Sequence, residues 1–204
     1  MYAQLQALCC LAAVTVFPVL AQGARVEVLL HDTNDTPARI LGEMKSELSG
    51  LMGRAGFQID WRGAHDFAGD LVMVEIRGSC EPPSAAMHDS RIVQMGSSAV
   101  ADGKVLPFSW VDCTAIAQLL EPYLAHMPKD QRDLTYGRAM ARVLAHEFYH
   151  VLRRTRIHTA SGLTKARLEP ADLLSENAEY GHVAMAKPAD PVRLSLFVRA
   201  AAHP

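Results

Sequence analysis

The sequence predicts an α+β domain in which a mixed, twisted sheet packs with an N-terminal helix, a histidine-bearing helix and a C-terminal helix. Two observations predict this class. Short β-rich runs recur through the first half of the chain, with one helical repeat between them, and a helical segment that carries two histidines lies in the second half.

The first elements are a strand, a helix and two further strands. Residues 25–31 alternate between polar and apolar side chains and then become apolar, which indicates a strand. Residues 32–37 supply turn and cap chemistry, and Pro37 stands at the first helical position. The helix that follows repeats its apolar residues at helical spacing and ends at residues 53–56. Residues 57–61 and 70–76 predict the next two strands.

The stretch from Cys80 to Lys104 has little periodicity, which predicts an irregular edge and loops that form a rim of the cleft. Residues 91–95 are the one short candidate strand within it. Residues 105–111 predict another short strand. Pro107 favours an edge position for that strand, because proline has no N–H to donate to a neighbouring strand.

Helices dominate the remaining chain. Residues 113–127 predict a helix with one apolar face, and the histidine-bearing helix follows Pro128. A last helix begins at residues 169–170 and runs to residues 180–181, with three apolar residues directed inward: Leu173, Leu174 and Ala178. The tail from residue 187 is expected to pack loosely. Because the chain has no internal repeat and no low-complexity linker, residues 22–204 are expected to form a single domain.

The most informative motif is a pair of histidines with a glutamate between them. His146 and His150 lie four residues apart in a predicted helix, so both imidazoles project from one face and can hold one metal ion. Glu147 can then act on a water at the metal. In the alternative interpretation, both histidines are ordinary polar residues of an amphipathic helix and Glu147 is solvated.

A catalytic zinc takes three protein ligands and leaves a fourth position open, so two histidines alone are an incomplete site. His158, just past the helix, is the best third ligand if the chain turns back after residue 154. The competing ligand is a carboxylate. Glu169 precedes Pro170 and therefore marks a helix start, while Glu176 and Glu179 lie on the next helix.

The first 21 residues carry no acidic or basic side chain, and residues 5–20 are almost continuously apolar. This pattern predicts a signal peptide over residues 1–21 with cleavage after Ala21, or after Gly23 or Ala24, and hence a secreted or periplasmic protein. The alternative is a retained membrane anchor. The apolar run is shorter than the ~20 residues of a spanning helix and contains Pro18, which argues against an anchor.

The cysteines also fit an exported protein. Processing removes two of the four and leaves Cys80 and Cys113, which are expected to pair and to stabilise the domain by ~3–4 kcal/mol. Alternatively, the Cys80 thiolate blocks the metal. The formal net charge of −2 does not suggest a nucleic acid or an anionic membrane as a partner.

The order strand, helix, strand, strand, irregular edge and histidine-bearing helix resembles the catalytic domain of metzincin metalloproteases, particularly the matrixin type. The likeness of motifs runs over residues 146–181. It comprises the helix with two histidines and a glutamate, a later histidine followed by Thr-Ala-Ser-Gly, and a closing helix over 167–181. The resemblance implies a zincin-like fold with a zinc-binding helix.

The chain departs from that family at two places. Metzincins have a glycine three residues after the second histidine and the third ligand three residues later, where this chain has Arg153 and Arg156. Leu163 occupies the place of the methionine that underlies the metal in matrixins, and Met185 is a distant candidate for that role.

The three-histidine spacing behind a signal peptide predicts an exported, monomeric zinc metallopeptidase with Zn²⁺ as cofactor and a protein or peptide as substrate. His146, His150 and His158 bind the zinc, and Glu147 takes a proton from the attacking water and delivers it to the leaving amine. The alternatives are a non-catalytic, zinc-stabilised binding module and a zinc hydrolase that cleaves a non-peptide amide.

Residues around this site have expected supporting roles. Asp172 or Glu176 are candidates to accept a hydrogen bond from the second ring nitrogen of a ligand histidine. Three arginines at 153, 154 and 156 are interpreted as solvated charges at a helix C-terminus, where the helix dipole favours them.

Overall fold

The computed structural model describes residues 24–62, 71–80 and 94–180. The expected leader with its cleavage site after Ala21, the candidate Met185, residues 91–93 of the candidate strand and the tail from residue 187 lie outside these ranges. The elements follow in chain order: β1 Ala24–Asp32, α1 Ala38–Arg54, β2 Phe57–Arg62, β3 Leu71–Arg77, β4 Gly96–Ala101, β5 Lys104–Asp112, α2 Cys113–Leu124, α3 Lys129–Arg153 and α4 Pro170–Leu174. None of the helices in the described ranges is long and apolar enough to cross a membrane.

The five strands form one mixed sheet in the order β2-β1-β3-β5-β4. Strand β1 runs parallel to both β2 and β3, and β5 runs parallel to β3. Strand β4 runs antiparallel to β5, to which a tight turn connects it. The α+β class and the mixed sheet predicted from the sequence are confirmed.

Helices α1 and α3 pack against each other and against the sheet. Four residues of the apolar repeat of α1 are fully buried, and each such side chain stabilises the fold by ~1.5–3 kcal/mol: Ile40, Met44, Leu48 and Leu51. Gly137 allows the two helices to approach, because a Cβ atom there would lie 2.6 Å from the carbonyl oxygen of Ile40. This packing fixes α3, and both of its histidines, relative to the sheet.

The edge of the sheet differs from the prediction. Residues 105–111 were expected at an edge, but β5 lies between β3 and β4, and β4 forms the edge instead. The pairing of β4 with β5 shifts register between Ser98 and Val100, and β5 pairs with β3 only from Phe108 onward. Pro107 therefore lies where neither neighbour requires its missing N–H, which makes an interior position possible.

The last helix is much shorter than predicted. Helix α4 ends at Leu174, whereas a helix to residues 180–181 was expected. The segment after it pairs with the loop that follows α3: the Leu163 N–H donates to the Glu179 carbonyl at 3.0 Å, and Gly162 forms an antiparallel bridge with Tyr180. The prediction was wrong because these long-range contacts hold the chain extended. The inward position expected for Leu173 and Ala178 is found, since both are buried.

A disulfide joins Cys80, just after β3, to Cys113, the first residue of α2. Their Cα atoms lie 4.7 Å apart, and both residues are buried. The bond closes a loop that contains the whole β4–β5 hairpin. Cys80 is therefore held by Cys113 and does not approach the histidine cluster described below.

Removal of this cross-link is expected to destabilise the protein. The double variant C80S/C113S should lose about 3–4 kcal/mol of unfolding free energy, because the unfolded chain regains the entropy of a loop spanning 33 positions. Urea unfolding of the oxidised protein and of the variant measures the difference. Reductant should lower the stability of the wild type and leave the variant unchanged, and equal midpoints for the two proteins would contradict the expectation.

Candidate metal centre

The C-terminal part of α3 carries the two histidines of the motif. Both are largely buried, and they lie four residues apart on one helical face. The Nε2 atoms of His146 and His150 are 3.0 Å apart. Their neighbours Phe148 and Tyr149 are buried, and they belong to the packing of the helix.

The turn after α3 brings a third imidazole to this pair. Helix α3 ends at Arg153, and Arg154 adopts a left-handed conformation with φ of 48° and ψ of 41°. The Thr155 N–H donates back to the His150 carbonyl at 3.1 Å, which closes the turn. The chain thus reverses without the glycine that metzincins place here, and the Nε2 atom of His158 lies 3.2 Å from that of His150.

The competing carboxylates have other positions. Glu169 is the N-cap of α4, where its side chain accepts from the backbone N–H of Asp172. Glu176 and Glu179 are exposed. The structure thus brings His158 to the histidine pair, and Glu169 belongs to a helix cap.

Backbone carbonyls orient the two helical imidazoles. The Nδ1 atom of His146 lies 2.7 Å from the Leu163 carbonyl oxygen, and the Nδ1 atom of His150 lies 2.8 Å from that of Thr155. The expectation that Asp172 or Glu176 would serve here was wrong. Asp172 instead completes the cap of α4 and forms an ion pair with Lys165 at 2.7 Å.

These contacts determine the tautomer of both rings. A carbonyl oxygen can only accept a hydrogen bond, so Nδ1 carries the hydrogen in His146 and in His150. Burial lowers the pKa of His146 to about 4, against the opposing effect of the bond to Leu163, and burial also lowers the pKa of His150. Both rings are therefore neutral at pH 7, and their Nε2 atoms present lone pairs.

Two lone pairs that face each other at 3.0 Å repel unless a cation lies between them. The ligand nitrogens of His146, His150 and His158 all lie within 4.8 Å of one another. The first two are buried and the third is exposed, so the cluster opens to solvent on the side of His158. This donor set fits a divalent metal ion better than it fits an ordinary hydrogen-bonded core.

Glu147, which follows His146 in the chain, is also buried. The Ser98 hydroxyl donates to its Oε2 atom at 2.8 Å. Burial raises the pKa of Glu147 to about 7, although the hydrogen bonds from Ser98 oppose the shift. A carboxyl group with a pKa near neutrality can both take up and release a proton at physiological pH, which suits a general base.

Two serines, one on the edge strand and one on its neighbour, are site residues that the sequence interpretation missed. Ser98 of β4 and Ser109 of β5 pair across the strands, with hydroxyl oxygens 3.1 Å apart. Gly96 permits the approach of β4 to α3, because a Cβ atom there would lie 2.7 Å from the Val143 side chain and 3.5 Å from Glu147 Cγ. The only signal in the sequence is a glycine followed by small polar residues.

Tyr180 and Leu163 contact the part of α3 that carries the histidines. The Tyr180 hydroxyl donates to the carbonyl oxygen of Ala145, the residue before His146, at 2.9 Å. Burial raises the pKa of this hydroxyl above its ordinary value, so it remains a donor. Leu163, at the place of the metzincin methionine, is buried, and its backbone is paired with Glu179.

The chain matches no protein-family model and no curated protein.

Proposed function

We propose that this protein is an exported, metzincin-like zinc metallopeptidase. One observation carries the proposal: three imidazole nitrogens converge beside a buried glutamate whose pKa is near 7. The mixed sheet, the helix between β1 and β2, and the histidine-bearing helix after the β4–β5 hairpin support the resemblance to metzincins.

Zinc is the metal that best fits these ligands. A tetrahedral zinc with Zn–N distances of about 2.0–2.1 Å separates two nitrogen ligands by about 3.3 Å. The Nε2 atom of His150 lies 3.0 Å from that of His146 and 3.2 Å from that of His158. Imidazole is a preferred ligand of zinc, and the carbonyl contacts on the opposite ring nitrogens are typical of metal-binding histidines.

Each side chain then has one role. His146, His150 and His158 would hold the ion. When bound, zinc supplies a Lewis acid that polarises a carbonyl and lowers the pKa of a water to ~7. Glu147 takes the proton of the attacking water and delivers it to the nitrogen of the leaving amine.

A catalytic role is favoured over a structural zinc site. Structural sites are closed by four protein ligands, whereas the cluster in the described part of the chain comprises three histidines, one of them exposed. Burial of the Glu147 carboxyl group costs desolvation free energy. In a protein that used the metal only for stability, that cost would serve no function.

Metal removal and replacement test the proposal. The purified mature protein should contain about one zinc per chain and should cleave casein or members of a peptide library. Chelation should abolish cleavage, and one equivalent of zinc should restore it. Hydrolysis restricted to glycan amides would favour the non-peptide hydrolase, and a zinc-loaded protein that cleaves neither class would favour the binding module.

A further inference from the structure

Strand β4 brings a serine hydroxyl to the buried glutamate. The Ser98 Oγ atom lies 2.8 Å from Glu147 Oε2 and 3.1 Å from the Glu147 backbone carbonyl oxygen. One hydroxyl on the edge strand therefore contacts both ends of the same residue of α3. We infer that Ser98 is a positioning residue that fixes the Glu147 carboxyl group for proton transfer, an inference that rests on the proposed function.

The hydrogen-bond arrangement gives Ser98 a defined orientation. A hydroxyl has one hydrogen to donate, and both Glu147 oxygens near it accept, with Oε2 the closer. The Ser109 hydroxyl, 3.1 Å away and fully buried, can then donate to Ser98. The result is a chain of donors from Ser109 through Ser98 to the carboxylate, in which each bond strengthens the next.

A glutamate requires such a partner if its orientation is to be unique. The terminal torsion of the side chain has a broad distribution of angles, and packing alone does not select among them. The directional bond from the Ser98 hydroxyl to Oε2 selects one orientation, whereas the Ser98 backbone N–H, which also bonds the carboxyl group, is present in every variant at this position. Gly96 makes the bond possible, because this strand can approach α3 only where no Cβ atom meets Val143.

The kinetic test compares three variants of the full mature protein loaded with zinc. S98A should lower kcat about 10- to 100-fold with KM and zinc content unchanged. S98T retains the hydroxyl in a residue that strands favour, and should restore kcat to within about threefold of the wild type. The matched control is S97A, because Ser97 lies on the opposite face of the same strand and should tolerate the same change.

A structural readout tests the inference without activity. In crystals of the metal-free protein, Glu147 Oε2 should have the same position in the wild type and in S98T, and should leave it in S98A, where only the backbone N–H of residue 98 still bonds the carboxyl group. If Glu147 Oε2 keeps its place in S98A, the inference is wrong. Equal kcat values for S98A and S97A in an active enzyme would also overturn it.

The two proposals fail in different ways. If the wild-type protein binds zinc but hydrolyses nothing, the proposed function fails, and the Glu147 orientation in S98A still decides whether Ser98 is its positioning residue. If the wild type is active and S98A is as active as S97A, only the role of Ser98 is lost. Unfolding curves for all three variants verify that they are folded.

Discussion

The E147Q variant is expected to retain about one zinc per chain while its kcat falls by about 10²–10⁴-fold, the usual contribution of a general base. Glutamine has nearly the shape of glutamate and can still accept from the Ser98 hydroxyl, so the surroundings should not rearrange. It cannot take a proton from water. Steady-state hydrolysis and metal analysis of the same preparation measure both quantities, and unchanged kcat would remove Glu147 from the mechanism.

The same variant has a second expected effect, on the stability of metal-free protein. Burial raises the folded-state pKa of Glu147 from its ordinary 4.5 to about 7. Burial disfavours the ionised carboxylate, so ionisation of Glu147 lowers the free energy of unfolding. This destabilisation is absent below pH 4.5 and is fully present above pH 7.

Chelated E147Q should therefore be more stable than chelated wild type above pH 7, by roughly 1–3 kcal/mol, and the two should converge below about pH 4. Urea unfolding across this range measures the difference. A constant difference at every pH would show that ionisation of Glu147 is not its origin.

The H158A variant is expected to weaken zinc binding by more than about a hundredfold. Groups that only orient a ligand contribute about 10- to 100-fold to affinity, and a ligand contributes more. His158 is exposed, so its removal should not disturb the core. Titration against a chromophoric chelator measures the affinity at fixed pH.

The matched control for this prediction is E169Q, which alters the competing carboxylate. Glutamine can still accept the N–H of Asp172 in the cap of α4, so E169Q should bind zinc as tightly as the wild type. Weakened zinc binding in E169Q together with unchanged binding in H158A would make Glu169, and not His158, the third ligand.

The parts of the site that lie on one helix could be predicted from the sequence. The spacing of His146, Glu147 and His150 determines their relative directions wherever the helix lies, because the periodicity of a helix is local. His158 required more: it was inferred from the number of ligands that a zinc needs, and its position depends on the left-handed turn at Arg154.

The parts that depend on distant contacts could not be predicted. Strand β4 consists mostly of small residues (Gly, Ser and Ala) with little β preference, and its pairing with β5 holds it in the sheet. Nothing in the sequence therefore indicated that Ser98 contacts Glu147. The expected long last helix was wrong for the same kind of reason, since pairing with residues 162–163 holds the chain extended after Leu174.

The hydrogen-bond acceptors for His146 and His150 are main-chain oxygens of Leu163 and Thr155. A carbonyl survives any substitution that preserves the path of its loop, so the orientation of the imidazoles does not depend on the identity of either side chain. Substitutions can therefore accumulate on the exposed surface around the cluster while the His146 and His150 rings keep their orientation.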